Sequence, residues 1–591
     1  MWWLSTKAPG GRAVLAAVVA VCALSVTPAL PQQNPPPEDS TGWQRKTLTV
    51  AKRHLVAAAH PRAVKAGLEI LRAGGNAVDA AIAVQLVLNL VEPQSSGIGG
   101  GAFLLHHDGA TGTLTTYDGR ETAPARATPG LFLDADGKPM AFRDAVVGGR
   151  PVGVPGVVAL MAKAHAAHGR LPWNRLFEPA IALARTGFVV GPRLAAMLAG
   201  PRAARLRAEP TARAYFFPGG IALKAGDVVR NPAFADTLTR IAEGGRAAFY
   251  SGAIARDIAA AVQGHAGNPG SLGEADLDAY KAVERAPVCL VYRVYRVCGM
   301  GPPSSGGQTV GQILGLLERF DLPDMSPEDA LPWHLLAEAS KLAFADRNRF
   351  SADADYVPVP VRGLLDRGYL AARARLFDAA EAMPVPTAAG APPWREGRAM
   401  APDNAEGRPG TSHISIVDGD GNAVAMTTTI EGAFGAHLMV RGFLLNNQLT
   451  DFSFRPKIDG VPVANAVAPG KRPRSSMAPT IVYDRDGGLR LVVGSPGGSQ
   501  IIGYVAKTLI AVLDWNMDVQ AAIDLHLVVN RNGPTDIEEH ERPQALAAAL
   551  AARGHEIRFR QLNSGLHVIE IRNGMLYGGA DPRREGIALG D

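Results

Sequence analysis

"EGRPGTSHISIVDGDGNAVAMTTTIEGAFG", Glu406 to Gly435, sets two strand-like runs on either side of Asp418-Gly419-Asp420-Gly421. Alternation on both sides of a Gly/Asp/Asn turn predicts an antiparallel hairpin. Pairing about Asp420 sets Thr429 opposite Thr411, both side chains on one face, to within one residue of register. A threonine at a strand start beside a second hydroxyl suits a nucleophile. Threonine also favours strands for steric reasons alone, so the hairpin by itself leaves both readings open.

Just upstream, Pro384 to Pro409 is rich in Pro, Ala, Gly and charge and predicts an exposed, mobile loop. Before that loop, from about Gly153 to Ala380, helical patterns dominate, among them "GVVALMAKAHAAHG" and "DALPWHLLAEASKLAFADRNRF". Earlier still, "HPRAVKAGLEILRAGGNAVDAAIAVQLVLNLVEPQ" predicts two helices broken at Gly74-Gly75-Asn76, the second apolar nearly all round and therefore buried. Beyond the hairpin, "IVYDRDGGLRLVVGS" and "LHVIEIRNGMLYGG" are strands with tight turns, interleaved with a helix around "IIGYVAKTLIAVLDW". The coarse pattern is α+β, a helix-rich first part and a strand-rich second part.

With 591 residues, 47% hydrophobic and 19% charged, the chain is a globular protein able to bury a large core. A net charge of +5 spread over that length, with no basic block, argues against a nucleic-acid partner. Lys7 and Arg12 precede the apolar run Ala13 to Val26, with small residues near Ala29, the pattern of a secretory signal over 1–29. A retained signal anchor is the other reading. The apolar run is too short to span a bilayer comfortably, and no other segment offers a stable span. Cys22 follows Val21, which is larger than lipoprotein sites favour. A Pro-rich linker follows over 30–45, and export implies a periplasmic or secreted location. Cys289 and Cys298 either pair in an oxidising compartment or remain buried thiols.

Several familiar motifs fail on spacing. Asp418, Asp420 and Asn422 begin a calcium loop, but Ala423 and Thr429 stand where Gly and Glu are needed. The run Gly97 to Ala102 follows a helix and enters a strand, the reverse of a dinucleotide site. Lys471 lacks the second glycine of a phosphate loop, and Ser304-Ser305 lack the frame of a hydrolase elbow. With no CxxC, HExxH or paired His/Cys cluster, no metal is expected.

In order, "GTSHISIVDGDGNAVAMTTT", "GFLLNNQLTDFS", "PGKRPRSSMAPTIV" and "GSPGGSQII" resemble the signature of the γ-glutamyltransferases, also called glutathione hydrolases. "AGGNAVDAAIAV", "GIGGGAFLL", "GRETAPARAT", "PPSSGGQTVGQIL" and "AEASKLAFADRNRF" extend the likeness from about Ala51 to the C-terminus. The resemblance implies an N-terminal nucleophile hydrolase fold, a four-layer αββα sandwich in which both halves of the chain interlock as one unit. It implies self-cleavage between Gly410 and Thr411, giving a large subunit 46–410 and a small subunit 411–591 that stay together. Thr411 is then the nucleophile, with its freed α-amino group as base, Thr429 as its hydrogen-bond partner, and Gly497 and Gly498 as oxyanion donors. Arg120, Ser475 and Ser476 are expected to take the α-carboxylate of a γ-glutamyl substrate, and Gln448, Asp451 and position 431 its ammonium. Water, an amino acid or a peptide accepts the acyl group, and no cofactor is needed.

Two departures bear on substrate. Glu431 stands where the family usually has asparagine, adding a negative charge near the substrate carboxylate, and the segment Phe454 to Asn465 is shorter than a full lid. The leading expectation is a γ-glutamyl hydrolase and transferase acting on glutathione and related amides. The alternatives are an acylase for glutaryl-type amides, and a secreted binding protein on an inactive frame, which retention of Thr411, Thr429, Arg120 and Asp451 argues against.

Overall fold

Alternation within the two threonine-bearing strands sets the layer order. Ile414 and Ile416 of the strand Thr411–Val417, with Val424 and Met426 of Ala423–Thr429, pack against the helices Pro61–Arg72, Ala77–Val91 and Val157–His168. The intervening residues, Val417, Ala423 and Ala425, pack instead with Leu491, Val493 and Val568 of a second sheet. With a side-chain period of two, Thr411 and Thr429 therefore lie between the sheets, on the face away from the helices.

The computed structural model describes residues 42–591 apart from 202, 395, 396, 398 and 404–409. The expected signal segment 1–29 and most of the linker 30–45 lie outside the described residues. Two seven-stranded sheets form the centre. One runs Ile587–Gly590, Leu55–Ala58, Thr411–Val417, Ala423–Thr429, Gly101–His107, Leu114–Gly119, Val283–Arg285, and every neighbouring pair is antiparallel. The other runs Thr49–Ala51, Met575–Ala580, His567–Arg572, Leu489–Gly494, Thr480–Tyr483, Tyr295–Gly299, Val288–Tyr292, again antiparallel throughout. Helices Gly306–Leu317, Ala330–Phe350 and Ile501–Leu513 cover its outer side. This is the expected αββα sandwich, and each sheet takes strands from both sides of Gly410-Thr411.

The hairpin register is Thr411 opposite Thr429 through Val417 opposite Ala423. Its turn is no ion site: Asp418 Oδ1 accepts from the backbone N–H of Asp420 and Asn422, both at 2.9 Å. Asp418 Oδ2 accepts from Ala77 N at 2.9 Å, fastening the turn to the start of the buried helix. That helix, Ala77–Val91, is buried at all of its residues, as an apolar pattern running nearly all round predicts.

One expectation changes and one open alternative is decided. Part of the Pro384 to Pro409 segment is tied down, because Thr387 N donates to Asn532 and Gly390 N to Asp346, while Met383 N, just ahead of it, donates to Glu338. The partners come from distant helices and loops, which composition cannot reveal, and 404–409 lie outside the described residues. Cys289 and Cys298 form a disulfide across neighbouring strands.

Candidate active site

The run Gly99-Gly100-Gly101 carries the chain close beneath the end of the threonine hairpin. A Cβ at Gly100 would lie 2.0 Å from the Thr429 carbonyl oxygen, so only glycine permits this approach. Gly410 is pressed in the same way, with a Cβ reaching 2.3 Å from Glu431 O. The result is a buried hydroxyl chain: Thr411 Oγ1 donates to Thr429 Oγ1 at 3.2 Å, and Thr429 Oγ1 donates to the Gly410 carbonyl at 2.6 Å. Glu431 N donates to Thr429 Oγ1 at 2.8 Å, and Arg584 Nη1 to Thr411 O at 3.3 Å. Thr429 Oγ1 thus links the Thr411 hydroxyl to the Gly410 carbonyl.

At the other end of the pocket, Arg120 leaves the strand Leu114–Gly119 fully buried. Its Nε donates to Pro473 O at 3.1 Å, and its Nη2 to Arg474 O at 3.0 Å and to Asp451 Oδ2 at 2.5 Å. Gln448 Nε2 donates to the same Asp451 oxygen at 2.6 Å. Adjacent charges in "GRETAP" look like a surface ion pair in sequence, yet Arg120 is 1% exposed and Glu121 is 0%. Glu431 is also buried and has a φ of 76°, a left-handed conformation costly for a side-chain-bearing residue.

Arg120, Thr411, Thr429, Glu431, Gln448, Asp451, Ser475, Ser476 and Gly498 line one pocket, so the expected site residues converge. Gly410 lies directly behind Thr411. Gly497 has a φ of 136° and Gly498 of 60°, opening the turn into the helix Ile501–Leu513, and the Tyr504 ring backs Gly497. Sequence reasoning missed Arg347, Arg474 and Met477, which line the same pocket. The available signal was an arginine within the otherwise buried helix Ala330–Phe350.

Glu121 sits 3.8 Å from Arg120 Nη1. Burial pushes its carboxyl up to about 8, against the opposing pull of Arg120. It is therefore mostly protonated at neutral pH and leaves Arg120 to Asp451. Ionisation above about pH 8 places a competing carboxylate beside Arg120, so KM for an anionic substrate is expected to rise there. The folded protein keeps this proton to about pH 8, whereas an unfolded glutamate releases it near 4.5, so this group's contribution to stability declines between those values. Glu121→Gln is expected to flatten both trends, as pH profiles of KM and of melting temperature will show.

Other candidates resolve as structure. Lys471 Nζ donates to Ala464 O and Ala466 O at 2.7 and 2.9 Å, anchoring the loop rather than a phosphate. Among the described residues, His334, Glu338 and His555 could together offer three metal ligand atoms. There Lys341 Nζ lies 2.7 Å from Glu338 Oε1, and His334 Nδ1 and His555 Nε2 share a hydrogen bond at 2.8 Å, so an ammonium already supplies the cation.

Two face-to-face antiparallel sheets between helix layers, with a threonine hydroxyl at the head of an inner strand, define an N-terminal nucleophile hydrolase. More specifically, the chain belongs to the gamma-glutamyltranspeptidase family, whose model matches residues 63–591. It is 37% identical over 557 residues to the glutathione hydrolase proenzyme of Bacillus subtilis (strain 168), covering 92% of each chain. It is 38% identical over 543 residues to the Escherichia coli (strain K12) glutathione hydrolase proenzyme, covering 90% of this chain and 91% of that one. A solved cephalosporin acylase from Bacillus halodurans superposes with a TM-score of 0.81 at 28% identity, over 95% of this chain and 99% of the other. Among the described residues no helix is long and apolar enough to cross a membrane.

Proposed function

We propose that this protein is a self-processing γ-glutamyl hydrolase and transferase with Thr411 as nucleophile. The observation that carries the reading is the Arg120–Asp451 ion pair in the same pocket as Thr411. A γ-glutamyl group brings a carboxylate and an ammonium, and inserting them between these residues replaces one ion pair with two.

Processing starts when Thr411 Oγ attacks the Gly410 carbonyl carbon, its proton passing to Thr429 as Thr429 gives its own to the forming Gly410 oxyanion. Collapse of the adduct returns that proton to the Thr411 nitrogen, breaks the Gly410-Thr411 amide and leaves an ester with a free amine, and water hydrolyses the ester to separate 46–410 from 411–591. The freed α-amino group has a reference pKa of about 8, which suits it to take the hydroxyl proton in each later turnover. Thr411 then attacks the γ-carbonyl, the N–H groups of Gly497 and Gly498 stabilise the oxyanion, and the amine leaves with a proton. Water or an acceptor amine cleaves the acyl ester. A single gel with N-terminal sequencing tests the first step: two bands are expected, the smaller beginning at Thr411, and an intact chain in an active preparation overturns it.

The acylase reading is disfavoured by charge. Glu431 and Asp451 both line the pocket, where Arg120 is paired with Asp451; a glutaryl carboxylate that takes Arg120 brings no ammonium to replace it as a partner for the two acidic side chains. The γ-glutamyl 4-nitroanilide is expected to exceed its glutaryl counterpart in kcat/KM by about a hundredfold or more, and the opposite preference refutes the assignment. The Phe454 to Asn465 segment folds as a short hairpin, Lys457–Ile458 with Val461–Pro462, and Phe454 stacks on Phe132 at 4.4 Å. So short a cover supports bulky leaving groups. The Cys289–Cys298 disulfide supports a periplasmic or secreted location.

A further inference from the structure

The turn Pro302 to Ser305, which fails as a hydrolase elbow, is built against the strip Ser475 to Met477. Ser304 Oγ donates to Met477 O and Ser305 Oγ to Ser475 O, each at 2.6 Å. A hydroxyl has one proton, so Ser305 Oγ is left as an acceptor. Arg347 Nε fills that role, donating to it at 3.0 Å. The other arm of the guanidinium, Nη2, donates to Ser476 Oγ at 2.6 Å, and Nη1 donates to Asn348 Oδ1 at 3.0 Å.

A guanidinium has no acceptor, so Ser476 cannot return its proton to Arg347. Met477 N imposes the same polarity on Ser475, donating to its Oγ at 3.1 Å. Among the described residues neither serine hydroxyl donates to a protein acceptor, and both serines line the pocket that holds Arg120. Both protons are thus available to an anion there.

We propose that Arg347 is a positioning residue that fixes the proton direction of Ser476, making Ser475 and Ser476 a two-donor cradle for a carboxylate beside Arg120, with Ser305 as the strut that holds Arg347. This rests on the reading that this end of the pocket takes the substrate α-carboxylate. It adds a specificity consequence. A cradle of fixed donors accepts a carboxylate but opposes a carboxamide, whose NH2 group brings further donors to the same place.

The test compares γ-glutamyl 4-nitroanilide with its α-carboxamide analogue on the processed enzyme. Arg347→Met is expected to raise KM for the carboxylate substrate about tenfold, the scale of one charge-assisted hydrogen bond. For the carboxamide KM should move less than about twofold, with kcat nearly constant for both. Ser476→Ala should match it, and combining the two should add little. Arg347→Lys, which keeps one donor toward Ser476, should restore most of the preference. Equal losses on the two substrates, or a loss confined to kcat, overturn the proposal. If Arg347→Met does not accumulate as a processed protein, Ser305→Ala carries the test with the same pair of substrates: a KM rise of about threefold for the carboxylate alone supports the proposal, and an equal or absent change refutes it. Failure of the underlying reading looks different, because a wild-type enzyme with equal KM for both substrates has no carboxylate subsite at all.

Discussion

Thr411→Ala is expected to yield a single uncleaved chain whose kcat/KM on a γ-glutamyl anilide is about 10^4-fold or more below that of the processed enzyme. The substitution removes the attacking oxygen of both reactions. It also prevents release of the α-amino group, so nucleophile and base disappear together. Folding should survive, since the substitution gives up only the Thr411 Oγ1 hydrogen bond to Thr429 and the strand is still held by neighbours on both sides. Thr411→Ser, which keeps a hydroxyl, should still cleave. Full activity in an uncleaved Thr411→Ala chain would sink the mechanism.

Arg120→Gln is expected to lower kcat/KM by about 10^2- to 10^3-fold, mainly through KM, with cleavage at Gly410-Thr411 retained. The loss has two sources. The substrate carboxylate loses its guanidinium, and Asp451, 8% exposed, is left without the cation 2.5 Å away. An uncompensated buried charge costs about 3 to 5 kcal/mol, so the melting temperature should fall as well. Arg120→Lys should recover only part of the activity, because the arginine reaches Pro473 O from Nε and Asp451 Oδ2 and Arg474 O from Nη2, two separated nitrogens that one compact ammonium does not reproduce. Kinetics showing an unchanged KM with reduced kcat would remove Arg120 from substrate binding.

The hairpin register was legible from the sequence because it depends on local information: a turn signal and a period of two. The buried helix Ala77–Val91 was legible for the same reason, its apolar residues running nearly all round. Assignment of Arg120 and Asp451 to one pocket rested on family likeness, since no local rule connects positions so far apart. Burial of Glu121 was not legible at all. It follows from packing against residues brought from elsewhere, such as Gly153, whose Cβ position lies 2.8 Å from Glu121 Cβ. Arg347 escaped notice because a helix pattern reports which face is buried and not which buried atom reaches a neighbour's hydroxyl. The same limit applies to the loop after Ala380, where anchoring side chains on Glu338, Asp346 and Asn532 turn a low-complexity stretch into fixed structure.

Each central sheet interleaves strands from before and after Gly410-Thr411. While the chain is whole, the strand Thr411–Val417 finds its partners Leu55–Ala58 and Ala423–Thr429 within one molecule. After the proposed cut, the first of those pairings would join two separate polypeptides, and re-forming it after denaturation would be a collision between them. A mature enzyme processed in this way would carry a memory of having been one chain: its native state would be reached by folding before cleavage, and dilution would work against recovering it afterwards.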